Sequence, residues 1–254
     1  MRVEILGCSG GIGGDSRTMC FLVDQDTLVD AGSGAGELSL AQVIGINTLF
    51  LTHSHLDHCA FLPLLADAAG NFRDTPLNVY ALPQTISAIK RNILNGEIWP
   101  DYTVQPSSER PYITFTPIAP SETVDKSGRK FTALPTRHAV PCVGYRLDSG
   151  AASLVYSGDT TFCEDFWLAL NLIPNLEYLL IETTFLNRNA AGAQRSGHMT
   201  ADLLAQGLRL LQRPVQVFIV HMEPGRENDT MHEVQQVAGE FNIQMLQRGR
   251  VFEF

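Results

Sequence analysis

The run Thr52-His53-Ser54-His55-Leu56-Asp57-His58 sets three imidazoles and a carboxylate within six positions, directly after the apolar segment Thr48-Leu49-Phe50-Leu51. Neutral imidazole and carboxylate are the preferred non-thiolate ligands of zinc and similar divalent ions. A strand over the apolar segment puts His53 and His55 on one face of its extended end, because side chains repeat every two residues there. Asp57 and His58 then fall in the turn that opens a following helix. One cluster can thus feed two adjacent metals, His53 and His55 on one, Asp57 and His58 on the other. The chain holds only seven histidines, and packing gives no reason to crowd three of them together. Solvated loop histidines are the weaker reading.

At 254 residues and 44% hydrophobic content the chain can bury a sizeable core, and α/β chains of this length are often one domain, so a single domain over residues 1–254 is expected. Eighteen basic against 27 acidic residues give a net charge of −9 and no basic run. That balance argues against extended nucleic acid as a partner. The strand-like start Met1-Arg2-Val3-Glu4-Ile5-Leu6 lacks the features of a secretory signal, and no apolar run approaches a membrane span. The five cysteines, Cys8, Cys20, Cys59, Cys142 and Cys163, are scattered and odd in number. A cytoplasmic location with reduced thiols, away from membranes, is the expectation. Cys59 adjoins His58 but reads as a small buried residue at the start of an apolar helix.

Periodicity and turn residues predict alternating strands and helices. Three early strands lie around Val3 to Leu6, Met19 to Val23 and Thr27 to Val29. A helix is expected from about Leu56 to Ala69, a strand over Leu77 to Ala81, and a helix from Pro83 to near Asn95-Gly96. Strands near Ile113, Phe131, Val143 and Leu154 follow. The remainder reads as helix Glu164 to Leu172, strand Tyr178 to Ile181, helix Thr200 to Leu211, a strand from Val215, helix Thr230 to Phe241 and strand Arg250 to Phe254. Cys8-Ser9-Gly10-Gly11-Ile12-Gly13-Gly14 is not a dinucleotide fingerprint, because a strand rather than a helix follows the glycines. It reads equally as a wide turn needing positive φ and as a loop whose backbone approaches an anion beside the metals.

The His-x-His-x-Asp-His spacing resembles the metallo-β-lactamase superfamily, and later motifs extend the resemblance. His138 closes the strand-like Phe131 to Arg137, Asp159 sits in Ser157-Gly158-Asp159-Thr160 after an apolar run, and His221 ends Val215 to Val220. The resemblance implies one metal on His53, His55 and His138, a second on Asp57, His58 and His221, and Asp159 touching both. It also implies an α/β fold of the αββα four-layer sandwich type, two packed sheets flanked by helices with the metals at one edge. Two divalent ions are implied, zinc first, with manganese or iron as alternatives.

Within that superfamily His-x-His-Leu-Asp-His resembles class II cyclic nucleotide phosphodiesterases. Ribonuclease Z enzymes have glycine in place of Leu56, and flavodiiron oxidoreductases place carboxylates between the histidines. The class II pattern continues with an aliphatic and then a small residue, where this chain has Cys59-Ala60-Phe61. Glu182 in Ile181-Glu182-Thr183-Thr184 and His198 in Gly197-His198-Met199-Thr200 are spaced like a pair in ribonuclease Z and its phosphodiesterase relatives, where the histidine is implicated in protonating the leaving group. The candidate catalytic residues are accordingly Asp57, His198 and Glu182. Arg137 reads as a solvent-exposed or salt-bridged neighbour of His138. Substrate choice is expected in residues 72–125, where Asn95 to Tyr102 looks like a stretch of the class II enzymes. Trp99 and Tyr102 fit a nucleobase face, core packing or a homodimer contact, with packing preferred. The segment shows no glycine- and proline-rich arm of the kind ribonuclease Z uses to hold transfer RNA, which favours a small phosphodiester, foremost a 3′,5′-cyclic nucleotide. Alternatives are another hydrolase of this fold, acting on RNA 3′ ends, a cyclic ribose phosphate, an aryl sulfate or a carboxylic ester, and a non-catalytic binding protein.

Overall fold

The computed structural model describes residues 1–254. In chain order the first half forms β1 (Arg2–Gly7), β2 (Cys20–Val23), β3 (Thr27–Val29), α1 (Leu40–Gly45), β4 (Thr48–Phe50), α2 (Leu56–Cys59), α3 (Leu62–Gly70), β5 (Leu77–Ala81), α4 (Pro83–Asn92), the short hairpin β6 (Pro106–Ser107) and β7 (Arg110–Pro111), and β8 (Ile113–Pro117). There follow β9 (Thr123–Lys126), β10 (Arg129–Pro135), β11 (Val143–Asp148), β12 (Ser153–Tyr156), α5 (Glu164–Asn171), β13 (Leu176–Glu182), α6 (Ala190–Ser196), α7 (Ala201–Leu208), β14 (Gln216–Val220), α8 (Glu227–Ala238), β15 (Ile243–Met245) and β16 (Val251–Glu253).

Two seven-stranded sheets result, in the orders β16-β1-β2-β3-β4-β5-β8 and β15-β14-β13-β12-β11-β10-β9. Each is antiparallel at one end and parallel at the other: β3, β4, β5 and β8 run parallel in the first, β12 to β15 in the second. The strands alternate between two buried faces, as period-two geometry requires. Phe21, Phe50, Phe131, Tyr145, Tyr156 and Phe218 meet in a core between the sheets. Neighbours one residue away, such as Leu22, Leu49 and Leu51, turn outward to pack with α1, α3 and α4. On the far side Val155, Leu179, Ile181 and Ile219 pack with α5, α7 and α8. Three apolar layers therefore separate four structural ones, the expected αββα sandwich. No helix is long and apolar enough to cross a membrane.

Several boundaries differ from the expectation. The helix expected over Leu56 to Ala69 is broken at Ala60 and Phe61. Pro63 lacks an amide hydrogen and its ring crowds the carbonyl four residues earlier, while the Phe61 amide donates to the Ala31 carbonyl at 2.9 Å. α4 ends at Asn92 rather than near Gly96, α7 stops at Leu208 and α8 runs from Glu227 to Ala238. The 3₁₀ turn Ser33–Glu37, α1, β6, β7, β9, α6 and β15 were not anticipated. For α1 a signal existed, since Ser39 and Gln42 form a reciprocal capping box.

Candidate metal centre

The functional side chains leave the ends of strands. β4 delivers His53 and His55, α2 carries Asp57 and His58, the loop after β10 carries His138, the turn after β12 carries Asp159, and His221 follows β14. Loops beyond the carboxyl ends of parallel strands are where open α/β sheets gather ligands. His53, His58, Asp159 and His221 are buried, and His55, Asp57 and His138 are partly exposed.

All seven residues come together. One donor atom from each of His53, His55, His138 and Asp159 falls in a group whose members lie within 4.8 Å of one another, and Asp57, His58, Asp159 and His221 form a second such group. Asp159 belongs to both. His138 Nε2 lies 3.1 Å from His55 Nδ1, and His58 Nε2 lies 3.4 Å from His221 Nε2. Nitrogen atoms this close together suit a shared cation.

The surrounding hydrogen bonds choose the tautomers. Asp30, buried and following β3, accepts from the Thr52 amide at 2.8 Å, the Thr52 hydroxyl at 2.9 Å, the Tyr156 hydroxyl at 3.2 Å and His58 Nδ1 at 2.8 Å. With its proton committed to Asp30, the Thr52 hydroxyl accepts from His53 Nδ1 at 3.0 Å. His138 Nδ1 donates to the Gly197 carbonyl at 3.0 Å. Thr184 donates to Glu182 at 3.0 Å and accepts from His221 Nδ1 at 3.0 Å. His53, His58, His138 and His221 therefore all aim Nε2 into the cluster. This arrangement of outer partners is how metal-binding imidazoles are oriented. Asp30, Thr52 and Thr184 escaped the sequence reading; a polar residue directly after the apolar strand Thr27 to Val29 was the available signal for Asp30.

Divalent cations fit this donor set. His53 Nε2 and Asp159 Oδ1 are buried without any hydrogen-bond partner, a costly state that a bound ion removes. Burial, reinforced by His58, drives His53 well below the usual imidazole range. Burial opposes charge on Asp159, yet His221 and His58 outweigh it and hold the carboxyl well below its usual range. His58 is likewise opposed by burial but lifted well above the usual range by Asp159 and Asp30. Without metal, imidazolium supplies the charge that compensates the carboxylates; bound metal would replace it and release the proton.

Glu182 and His198 stand beside the cluster. The wholly buried Glu182 carboxylate accepts from the amides of Thr160, Thr184 and Met199, from the Thr184 hydroxyl, and from His198 Nδ1 at 2.8 Å. Burial disfavours a charged His198, but Glu182 overrides it and pushes the imidazole up to about 9. Its ring centroid lies 4.7 Å from that of His138 and 5.3 Å from that of His221.

Gly197 makes this approach feasible: it closes α6 with φ 75°, and a Cβ there would lie 2.7 Å from the Ala139 amide nitrogen. Gly10, in the loop after β1, packs so closely that its Cβ would meet the His221 carbonyl at 2.7 Å. That loop thus abuts a candidate ligand, while Gly13 and Gly14 supply its positive-φ turn. Tyr102 is buried in the helix-side core of the first sheet, and Trp99 packs against it. Tyr102 is core packing, and Trp99 is partly buried against that core.

A family model for the beta-lactamase superfamily domain matches residues 26–222, a span that includes Asp30 and all seven candidate ligands. The chain belongs to the beta-lactamase superfamily, and its fold is the metallo-β-lactamase fold. Ribonuclease Z of Mycobacterium bovis is 29% identical over 185 residues, covering 65% of this chain and 64% of that protein. The match thus spans slightly less than two thirds of the curated relative. Unliganded yeast PDE1 superposes with a TM-score of 0.81 at 18% identity, covering 98% of each chain. YhfI from Bacillus subtilis, a metallo-beta-lactamase fold protein, gives 0.77 at 19% identity, covering 99% of this chain and 98% of that one. At such identities the structural likeness bears on the fold alone.

Proposed function

We propose that the protein is a dinuclear-metal phosphodiesterase acting on a small phosphodiester, foremost 3′,5′-cyclic AMP or GMP opened to the 5′-monophosphate. The observation that carries this reading is the Glu182–His198 pair at the wall of the seven-ligand cluster. His53, His55, His138 and Asp159 would hold one ion, and Asp57, His58, His221 and Asp159 the other, with zinc first and manganese or iron as alternatives. Bound ions supply activated water and offset the charge that develops on phosphorus. His198 supplies what metals do not, a proton for the departing ribose oxygen, which is a poor leaving group at neutral pH. Glu182 occupies Nδ1, so Nε2 is the donor. The remaining acceptors of Glu182 are filled by backbone amides and Thr184, which fixes the acid's position.

Leu56 in the metal motif supports the cyclic-nucleotide choice. So does the make-up of residues 72–125, which hold β5, α4, one short hairpin, β8 and the start of β9 in place of a glycine- and proline-rich arm. A second reading, cleavage at RNA 3′ ends, draws support from the curated relatives named ribonuclease Z. A panel of cyclic nucleotides, precursor transfer RNA, cyclic ribose phosphates, aryl sulfates and lactones, assayed with zinc and with manganese, tests both. Turnover of a cyclic nucleotide well above the rest is expected. Efficient cleavage of precursor transfer RNA with negligible turnover of every cyclic nucleotide would transfer the assignment to the second reading.

A further inference from the structure

A cavity of about 620 Å³ extends from His138 and Gly197 between the loops after β10 and β12 and the helices α6 and α7. Its size lies within the range of small-molecule sites. Two guanidinium groups line it, Arg137 and Arg195, both exposed and neither engaged through its side chain in a hydrogen bond or an ion pair. Elsewhere Arg17, Arg129, Arg146 and Arg248 are each tied to carboxylates. The cavity's one carboxylate, Asp202, is engaged by the Asn187 side-chain amide at 3.1 Å. The lining therefore keeps a net positive charge, and half-buried Phe162 adds an apolar surface. Planar guanidinium donors match the oxygens of a phosphate group.

The cavity's position assigns the group it would receive. Gly197 and Thr200, on either side of His198 in the chain, line the cavity together with His138, whose ring the Gly197 carbonyl anchors, so the cavity borders the segment that carries the acid, although the His198 ring is not part of its lining. The part of a substrate that takes the acid's proton is the part that leaves. We propose that this cavity holds the leaving nucleoside of a linear substrate bearing a second, terminal phosphate, so that the site takes 5′-phosphorylated dinucleotides as well as cyclic mononucleotides. This inference rests on the phosphodiesterase reading and on His198 as the acid. In both substrates the P–O3′ bond breaks: a water oxygen bonds to phosphorus, O3′ departs with the electron pair and takes the His198 proton, and a water proton passes to solvent. The dinucleotide pApA yields two molecules of AMP.

The test compares pApA, ApA and bis(p-nitrophenyl) phosphate on the metal-loaded enzyme. Wild type should favour pApA over ApA by about tenfold or more in kcat/KM, chiefly through KM. Arg137→Ala and Arg195→Ala should each shrink that ratio, the double variant should bring it close to unity, and Arg137→Lys should keep part of it. Calorimetry on the metal-free proteins, which do not consume the dinucleotides, should show pApA affinity falling about tenfold in the double variant while ApA affinity changes much less. A ratio near unity in wild type, or one that survives in the double variant, overturns the subsite even where bis(p-nitrophenyl) phosphate is turned over. If no diester is turned over with both metals bound, the phosphodiesterase reading fails by itself. The calorimetric comparison then still decides the subsite, and equal pApA affinity in wild type and double variant overturns it.

Discussion

Asp30 touches no candidate metal position, yet it accepts four hydrogen bonds and commits both His58 and, through Thr52, His53 to one tautomer. Removing such an outer partner typically lowers metal affinity ~10- to 100-fold. Asp30→Ala should do so most strongly for the Asp57, His58, His221 set, and metal titration by calorimetry would expose an unaltered affinity as contrary evidence. His198 behaves differently, because burial lowers and Glu182 raises its affinity for a proton, with Glu182 the stronger. A histidine raised from 6.5 to about 9 contributes stability that is fully present below pH 6.5 and is lost as pH rises through about 9. Denaturation midpoints of metal-free wild type should therefore fall across that window, and those of His198→Gln should fall less. The same proton governs catalysis in the proposed reaction. Turnover of substrates with alkoxide leaving groups should fall as pH rises through the titration of His198, and His198→Ala should harm them far more than activated nitrophenyl diesters. Equal losses on both substrate types would remove the acid role.

At the scale of elements, the C-terminus of α6 positions the acid. Gly197 adopts φ 75°, and a Cβ there would fall within 3.0 Å of backbone atoms of both His138 and Ala139, so a methyl group strains both segments at once. Gly197→Ala should cost roughly 1–3 kcal/mol, seen as a lower urea midpoint with unchanged slope. It should also displace His138 and weaken metal retention; a variant with wild-type stability and metal content would show the contact to be dispensable. The elements themselves were unevenly legible. Strands such as β4, β13 and β14 announced themselves as apolar runs closing on polar residues. β9, the β6–β7 hairpin and β15 did not, because they are short and carry mixed, partly exposed side chains. The break between α2 and α3 was written in Pro63, but the continuous apolar pattern from Phe61 to Leu65 concealed it.

Over the whole molecule, the candidate centre straddles the two sheets. His53, His55, Asp57 and His58 come from the first-sheet side, and His138, Asp159 and His221 from the second. Metal would thus clamp the open edge of a sandwich whose interior is already held by the inter-sheet core. A ligand that binds only the folded state stabilises it by ~2.7 kcal/mol at one hundred times its dissociation constant. Zinc should accordingly raise the melting temperature of metal-free protein in a concentration-dependent way. Asp159→Ala, which deprives both groups of the shared carboxylate, should abolish most of that shift and reduce bound metal at both positions. Full metal content in that variant, measured by elemental analysis, would refute the bridging role.

The sequence by itself pointed to His53, His55, Asp57 and His58 as candidate ligands, through their crowding after an apolar run, while His138, Asp159 and His221 were legible only through the family resemblance, because a single polar residue at a strand end has many uses. Period-two and near-helical patterns are local and survive translation into sequence. Only the tertiary structure decided the rest. That Asp30 orients His58 from 28 positions away, that Thr184 links Glu182 to His221, and that Arg137 and Arg195 share one cavity are relations between segments distant along the chain. No local pattern encodes them, because each depends on how two sheets twist and pack against each other, and packing brings residues together by shape and burial rather than by their order in the chain.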